Sequence, residues 1–176
     1  MQKAVFLDRD GVINIEKDYL YKVEDFEFID GVFEALRMFQ KHGFKLFIIT
    51  NQSGIGRDYY SKEDFLKLTS WMIEEFNKRD IIISQVEYCP HGPEDNCFCR
   101  KPKIGMIENI LKNHKIDLEN SWLIGDKSSD IKCAINAKIG NTIQVKSGHS
   151  FDEKSSLADF VCNSIKDASR KIIPFS

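Results

Sequence analysis

A chain of 176 residues with 42% hydrophobic and 30% charged residues has the composition of a soluble globular protein, long enough to bury one good core. Its formal net charge of −2 gives no electrostatic basis for binding nucleic acid or an anionic membrane. The longest apolar runs, such as Leu46-Phe47-Ile48-Ile49, are too short to span a bilayer, and the few apolar residues between Lys3 and Asp8 do not make a secretory signal.

Strand and helix signals alternate along the chain. The apolar run Val5-Phe6-Leu7 stops at Asp8-Arg9-Asp10-Gly11 and reads as a buried strand ending in a charged turn. Residues 14 to 24 are polar and aromatic, a long loop. Gly31 to His42 carries Val32, Phe33, Leu36 and Phe39 at helical spacing, with Gly43 as its C-terminal cap. Phe44 to Thr50 is a second strand, and Asn51 to Tyr60 a loop. Ser61 opens a helix with Asp64 three residues on, a weaker form of the capping box, and Phe65, Leu68, Met72 and Phe76 form its buried stripe. Ile83 to Tyr88 is a third strand, and Cys89 to Pro102 a loop dense in Cys, Gly and Pro. A helix over 104–115 leads to the strand Trp122 to Ile124, which stops at Gly125-Asp126. A helix over 129–137 leads to the strand Thr142 to Val145. The segment 147–156 is a surface loop, and Asp159 to Cys162 and Ser164 to Lys171 repeat the rhythm.

This alternation predicts an α/β fold, Rossmann-like and doubly wound, with a mostly parallel sheet and helices on both faces. No repeat or linker interrupts it, so residues 1–176 are expected to form a single domain. Ligands of such sheets bind beyond the carboxyl ends of the strands. Asp8, Thr50, Cys89 and Asp126 all fall there.

The strand ends supply distinct chemistry. Asp8 and Asp10 lean to one side of an extended chain, where two carboxylates repel unless a cation or a proton intervenes. Hard oxygen ligands of this kind suit magnesium. A D-x-D by itself is more often a polar strand end, so the other strand ends carry the argument. Thr50-Asn51-Gln52-Ser53, followed by Gly54, offers a hydroxyl and backbone N–H groups suited to phosphate oxygens. Arg100-Lys101 brings two cations, and Gly125-Asp126-Lys127-Ser128-Ser129-Asp130 a second acidic cluster beside a lysine. Asp130 either orients Lys127 or Lys101 or caps the helix that follows.

Within the loop 89–99, Cys89, His91, Cys97 and Cys99 present three thiols and one imidazole. Zinc favours four such ligands in a closed tetrahedron when its role is structural. The expected effect is to fix the loop that delivers Arg100 and Lys101. Cys133 and Cys162 read as small buried hydrophobes. His42, His114 and His149 lack sequence neighbours that would make them ligands. The first two sit near predicted helix ends, where a dipole interaction suffices.

Carboxylates, a hydroxyl, a lysine and further carboxylates in this order resemble the phosphatases of the haloacid dehalogenase superfamily. That resemblance implies that Asp8 is the nucleophile and forms an aspartyl-phosphate, and that Asp10 is the general acid and base. It further implies that Asp8, Asp126 and the backbone carbonyl of Asp10 hold Mg2+, and that Thr50, Asn51 and Lys101 steady the phosphoryl oxygens. The segments D-R-D-G-V-I-N, T-N-Q-S-G-I, C-P-H…C-x-C-R-K-P and G-D-K-x-x-D resemble one subgroup, the heptose bisphosphate phosphatases of nucleotide-activated heptose biosynthesis. Histidinol-phosphate phosphatases share several of these segments and stand as the alternative. The resemblance implies substrate contacts from Asp8, Arg9 and Asp10, from Glu16, Lys17, Asp18 and Tyr19, and from Thr50 to Ser53. Arg100, Lys101 and Lys127 complete the set, with Arg100 on a distal phosphate.

The intervals between motifs leave no room for a cap domain, so specificity is expected from the loops 15–24, 53–60 and 89–100. Two features depart from the subgroup's pattern. Gly54-Ile55-Gly56-Arg57-Asp58 stands where it usually reads G-I-A-R-G, and the zinc loop is short. The expected protein is a cytoplasmic monomer with Mg2+ and Zn2+ as cofactors, a small sugar bisphosphate as its partner, and no nucleic acid or membrane partner. A phosphorelay receiver and a non-catalytic zinc-stabilised module are the readings from other functional classes.

Overall fold

The structure is a computed structural model and describes residues 1–174. The last two positions of the expected domain lie outside the described residues. The chain forms β1 (Ala4–Leu7), α1 (Val32–Lys41), β2 (Lys45–Asn51), α2 (Ser53–Gly56), α3 (Lys62–Asn77) and β3 (Ile83–Cys89). It continues with α4 (Gly105–Asn113), β4 (Trp122–Gly125), α5 (Ser128–Asn136), β5 (Asn141–Val145), β6 (Phe160–Cys162) and α6 (Ile165–Ile172). All strand pairs are parallel, in the order β3-β2-β1-β4-β5-β6. Strand order reverses between β1 and β4, which makes their carboxyl ends the crevice where such sheets bind ligands.

Side chains alternate across the strands and build two cores. Val5, Leu7, Leu46, Ile48, Ile124, Ile143 and Val145 face the layer of α1, α3 and α6. Ala4, Phe6, Phe47, Ile49 and Leu123 face the layer of α4 and α5. A strand buried on both faces reads as an unbroken apolar run, which is why β1 and β2 stand out in the sequence. The expected stripe of α3 is buried as a unit at Phe65, Leu68, Met72 and Phe76. Cys133 and Cys162 are buried, as their reading requires.

Element ends agree with the sequence to within a residue or two. Gly43 takes φ 84°, and its N–H reaches the Gln40 carbonyl at 2.9 Å, closing α1. The loop 51–60, by contrast, contains one helical turn, α2, whose four residues carry no periodicity that could announce it. Between β1 and β2 the described residues hold the 3-10 turn Val23–Asp25 and α1, and between β2 and β3 α2 and α3; no additional domain is inserted.

The capping box at α3 is complete. Asp64 N–H donates to Ser61 Oγ, and Ser61 N–H donates to Asp64 Oδ2, both at 3.0 Å. Ser61→Ala leaves the Asp64 amide without this partner. It should cost about 1 kcal/mol in urea unfolding, with an unchanged dependence on denaturant.

Candidate active site

Three carboxylates meet at the β1/β4 crevice. Oxygens of Asp8, Asp126 and Asp130 lie within 4.8 Å of one another. Lys101 Nζ stands among them, 3.1 Å from Asp8 Oδ1 and 2.6 Å from Asp130 Oδ1, and it also donates to the Ile49 carbonyl at 2.8 Å. Burial alone would lower the pKa of this lysine, but the attraction of Asp130 and Asp8 outweighs it and holds the ammonium charged.

Asp8 and Asp10 are pulled in opposite directions. Burial, with the negative charge of Asp130, raises Asp8 well above the usual carboxylate range, and Lys101 only partly opposes this. Burial would raise Asp10 too, but the Arg9 guanidinium and hydrogen bonds from Asn14, Arg9 and Gln52 outweigh it and bring the pKa down. Those bonds are 2.9 Å from Asn14 Nδ2, 2.9 Å from Arg9 and 3.0 Å from Gln52 Nε2.

The donor set fits a hard divalent cation. Asp126 Oδ1 is buried without a hydrogen-bond partner. Asp130 is already committed: Oδ1 pairs with Lys101, and Oδ2 accepts the N–H groups of Asp126 and Lys127, each at 3.1 Å. Asp130 therefore both orients Lys101 and caps α5, and Asp8 and Asp126 remain to share a cation.

Each loop contributes to one cavity of about 240 Å³ over these groups. Glu16, Asp18 and Tyr19 line it from the first loop, and Asn51, Gln52 and Ser53 from the end of β2. Arg100, Lys101 and Lys127 complete the expected wall. Asn51 grips the backbone of Lys101, its Oδ1 accepting at 3.0 Å and its Nδ2 donating at 3.3 Å. Thr50 is buried beneath, accepting from Gln52 Nε2 at 2.9 Å.

The comparisons with known proteins bear on this geometry. Residues 98–168 match the profile of the HAD-hydrolase-like family. A Haemophilus influenzae protein named D-glycero-β-D-manno-heptose-1,7-bisphosphate 7-phosphatase is 43% identical over 177 residues, covering 97% of this chain and 96% of the relative. The chain belongs to that phosphatase family. A Campylobacter jejuni relative, named for the α anomer, is 52% identical over 143 residues, 81% of this chain and 82% of its own length. Among solved structures, the D,D-heptose 1,7-bisphosphate phosphatase of B. bronchiseptica, complexed with magnesium and phosphate, superposes with a TM-score of 0.84. It covers 99% of both chains and, at 24% identity, attests the shared fold.

The expected pattern of the heptose bisphosphate phosphatases is altered at α2, and the structure gives a reason for Gly56. Gly56 donates its N–H to the Pro90 carbonyl at 2.9 Å, and a Cβ there would lie 2.6 Å from that oxygen. Alanine, the usual residue, would push the cysteine loop away. Asp58 occupies the left-handed region at φ 58°, the conformation that the usual glycine adopts freely.

In the cysteine loop, His91 Nδ1 lies 3.5 Å from Cys89 Sγ and 3.3 Å from Cys99 Sγ, while Cys89 and Cys97 are 3.8 Å apart. Tetrahedral zinc with ordinary bond lengths separates its ligands by about 3.3 to 3.8 Å. The Cys89–Cys99 contact is shorter, at 2.8 Å. All four ligand atoms lie within 4.8 Å of one another, so the donor set fits a closed four-ligand site.

Three expected substrate contacts do not line the cavity: Thr50, which is buried beneath it, Arg9 and Lys17. The Arg9 side chain is buried outside the cavity lining, with its guanidinium on Asp10 and on the Leu20 carbonyl, because its neighbour's charge holds it beneath the site. Lys17 Nζ pairs with Glu27 and the Asp25 carbonyl and does not line the cavity. Four residues went unrecognised in the sequence. Arg57 and Ser129 line the wall. Tyr60 donates to Gln52 Oε1 below it, and burial pushes its phenol up to about 12. His149, on the segment expected to be a surface loop, reaches Asp126. Its position just past the end of β5 was the one available signal.

The raised pKa of Asp8 sets a pH signature. A carboxyl whose folded pKa exceeds its unfolded value contributes stability at low pH that is lost as pH rises through the folded pKa. A cation replaces the proton there. Adding a divalent cation should therefore raise the thermal midpoint of metal-free protein more at about pH 8 than at about pH 5.5. Equal shifts, read by differential scanning fluorimetry, would show that Asp8 carries no proton for the cation to displace over this range.

Proposed function

We propose that this protein is a magnesium-dependent phosphatase that removes the 7-phosphate of D-glycero-D-manno-heptose 1,7-bisphosphate, leaving heptose 1-phosphate. One observation carries the reading. A single cavity joins a nucleophile-and-acid pair, Asp8 and Asp10, to Arg57, Arg100 and Lys127, none of which makes an ion pair among the described residues. One phosphate fits over Asp8, and a second gives those free cations an anion to hold. The identities of the relatives favour the same substrate. The reading takes the protein to act as a monomer. No helix of the described residues is long and apolar enough to cross a membrane, and the free thiols suit a reducing cytoplasm. Residues 1–176 act as one catalytic domain in this reading.

Asp8 Oδ1 is held by the Arg9 N–H at 2.8 Å and by Lys101, so Oδ2 is the attacking atom. It bonds to phosphorus while the ester P–O bond breaks, giving an aspartyl-phosphate. Asp10 gives its proton to the departing sugar oxygen. The incoming phosphate dianion, a like charge, raises the pKa of Asp10 and lets it arrive protonated. Water then attacks phosphorus, Asp10 takes its proton, the P–O bond to Asp8 breaks, and phosphate leaves. Lys101, Thr50 and Asn51 position or neutralise the phosphoryl oxygens. Asp8, Asp126 and the Asp10 carbonyl would hold magnesium, which would shield the nucleophile from the charge of the phosphate. Zinc on Cys89, His91, Cys97 and Cys99 would be structural and would hold Arg100 and Lys101 in place.

Asp8→Asn should lower turnover by roughly four to six orders of magnitude. Arg100→Ala should cost about 2 to 4 kcal/mol in kcat/KM for the bisphosphate and far less for a small monophosphate. The assay is a panel of both heptose bisphosphate anomers and histidinol phosphate. Preference for histidinol phosphate, or an equal loss on every substrate, would reject the heptose reading.

Cys97→Ser should lower zinc content by elemental analysis and reduce activity through the loop that carries Arg100 and Lys101. A metal-free, fully active protein would remove zinc from the assignment.

A further inference from the structure

His149 approaches Asp126 twice. Its main-chain N–H donates to Oδ2 at 2.9 Å, and its ring Nδ1 lies 2.8 Å from the same oxygen. An ionised carboxylate only accepts, so Nδ1 carries the proton. The opposite oxygen, Oδ1, is buried and unpartnered. One side of the carboxylate is thus saturated and the other left open. The approach depends on Gly148, where a Cβ would fall 2.3 Å from Asp126 Oδ2. Ser147 Oγ donates to the Gly11 carbonyl at 2.7 Å and ties this segment to the turn after β1. The imidazole itself is 41% exposed and lines the cavity.

We infer that His149 is a positioning residue for the cation site: the strap 147–149 locks Asp126 so that Oδ1 faces the ion shared with Asp8. This rests on the proposed role of Asp126 as a cation ligand. The terminal torsion of an aspartate is broad, and a single hydrogen bond leaves it free to rock. The backbone donor survives replacement of the side chain by phenylalanine or asparagine. The ring adds a second donor from a different direction, which fixes the carboxylate plane. Partners of this kind, behind a metal ligand, set its orientation and basicity.

The test uses Mn2+ alone as probe, with binding read from the free-ion electron paramagnetic resonance signal in wild type, His149→Phe and His149→Asn. Outer partners of metal ligands typically govern affinity by ten- to a hundredfold, so His149→Phe should weaken Mn2+ binding about tenfold or more. The Mg2+ concentration for half-maximal activity should rise by the same factor, with kcat at saturating Mg2+ falling less than about threefold. Asparagine can donate from Nδ2 and should recover binding to within about threefold of wild type. Thermal unfolding of the metal-free proteins should be unchanged, which separates positioning from a general structural role. Wild-type Mn2+ affinity in a folded His149→Phe protein overturns the inference. So does an asparagine variant as weak as phenylalanine, or a loss confined to kcat. Mn2+ binding needs no sugar substrate, so failure of the heptose reading leaves this result intact.

Discussion

One buried ammonium group holds the site together. Lys101 stands between Asp8 and Asp130, at the point where strand order reverses, and its third contact is a carbonyl of β2. Carboxylates so close together at the floor of a crevice repel one another, and burial removes the water that would screen them. The lysine makes the cluster tolerable without neutralising it. What remains is an excess of negative charge beside Asp126, the electrostatic condition for a cation to enter. The placement of Lys101 then becomes the geometric problem that the surrounding loops solve.

Those loops solve it by backbone contact. Asn51 clamps the main chain of Lys101 from the end of β2, and Gly56 brings α2 against the Pro90 carbonyl in the cysteine loop. Arg100 is steadied by the His91 carbonyl at 3.1 Å. The Cys89, His91, Cys97 and Cys99 cluster sits at the root of this arrangement, directly before the two cations Arg100 and Lys101. A loop with little apolar content needs such a clasp, because it cannot bury enough surface to fix its own conformation.

The two aspartates of the first motif show how much neighbours matter. They are two residues apart, yet burial and Asp130 drive one upward while Arg9, Asn14 and Gln52 draw the other down. Without a bound cation the raised group is Asp8 and the lowered one Asp10, so using the first as nucleophile and the second as acid requires a cation beside Asp8 and an added negative charge beside Asp10. Arg9 takes part in this from below, as a charge under Asp10. An arginine next to Asp10 reads naturally as a substrate contact in a linear chain, and the fold places it buried beneath the cavity.

The sequence by itself determined the parallel α/β sheet, because strands buried on both faces leave unbroken apolar runs and helices a 3.6-residue stripe. It also determined the principal chemical groups, because the polar residues at the ends of β1, β2 and β4 interrupt those runs abruptly. The cysteine cluster was legible because its ligands are near neighbours in the chain. Tertiary structure alone decided which residues meet across elements. Asp130 joins Lys101 to the start of α5, Tyr60 supports Gln52, and His149 braces Asp126 across 23 positions of chain. None of these contacts leaves a periodicity, since a hydrogen bond between distant loops depends on where the sheet brings them. The four residues of α2 were equally silent, because one turn of helix is too short for a pattern and is held by the loops around it.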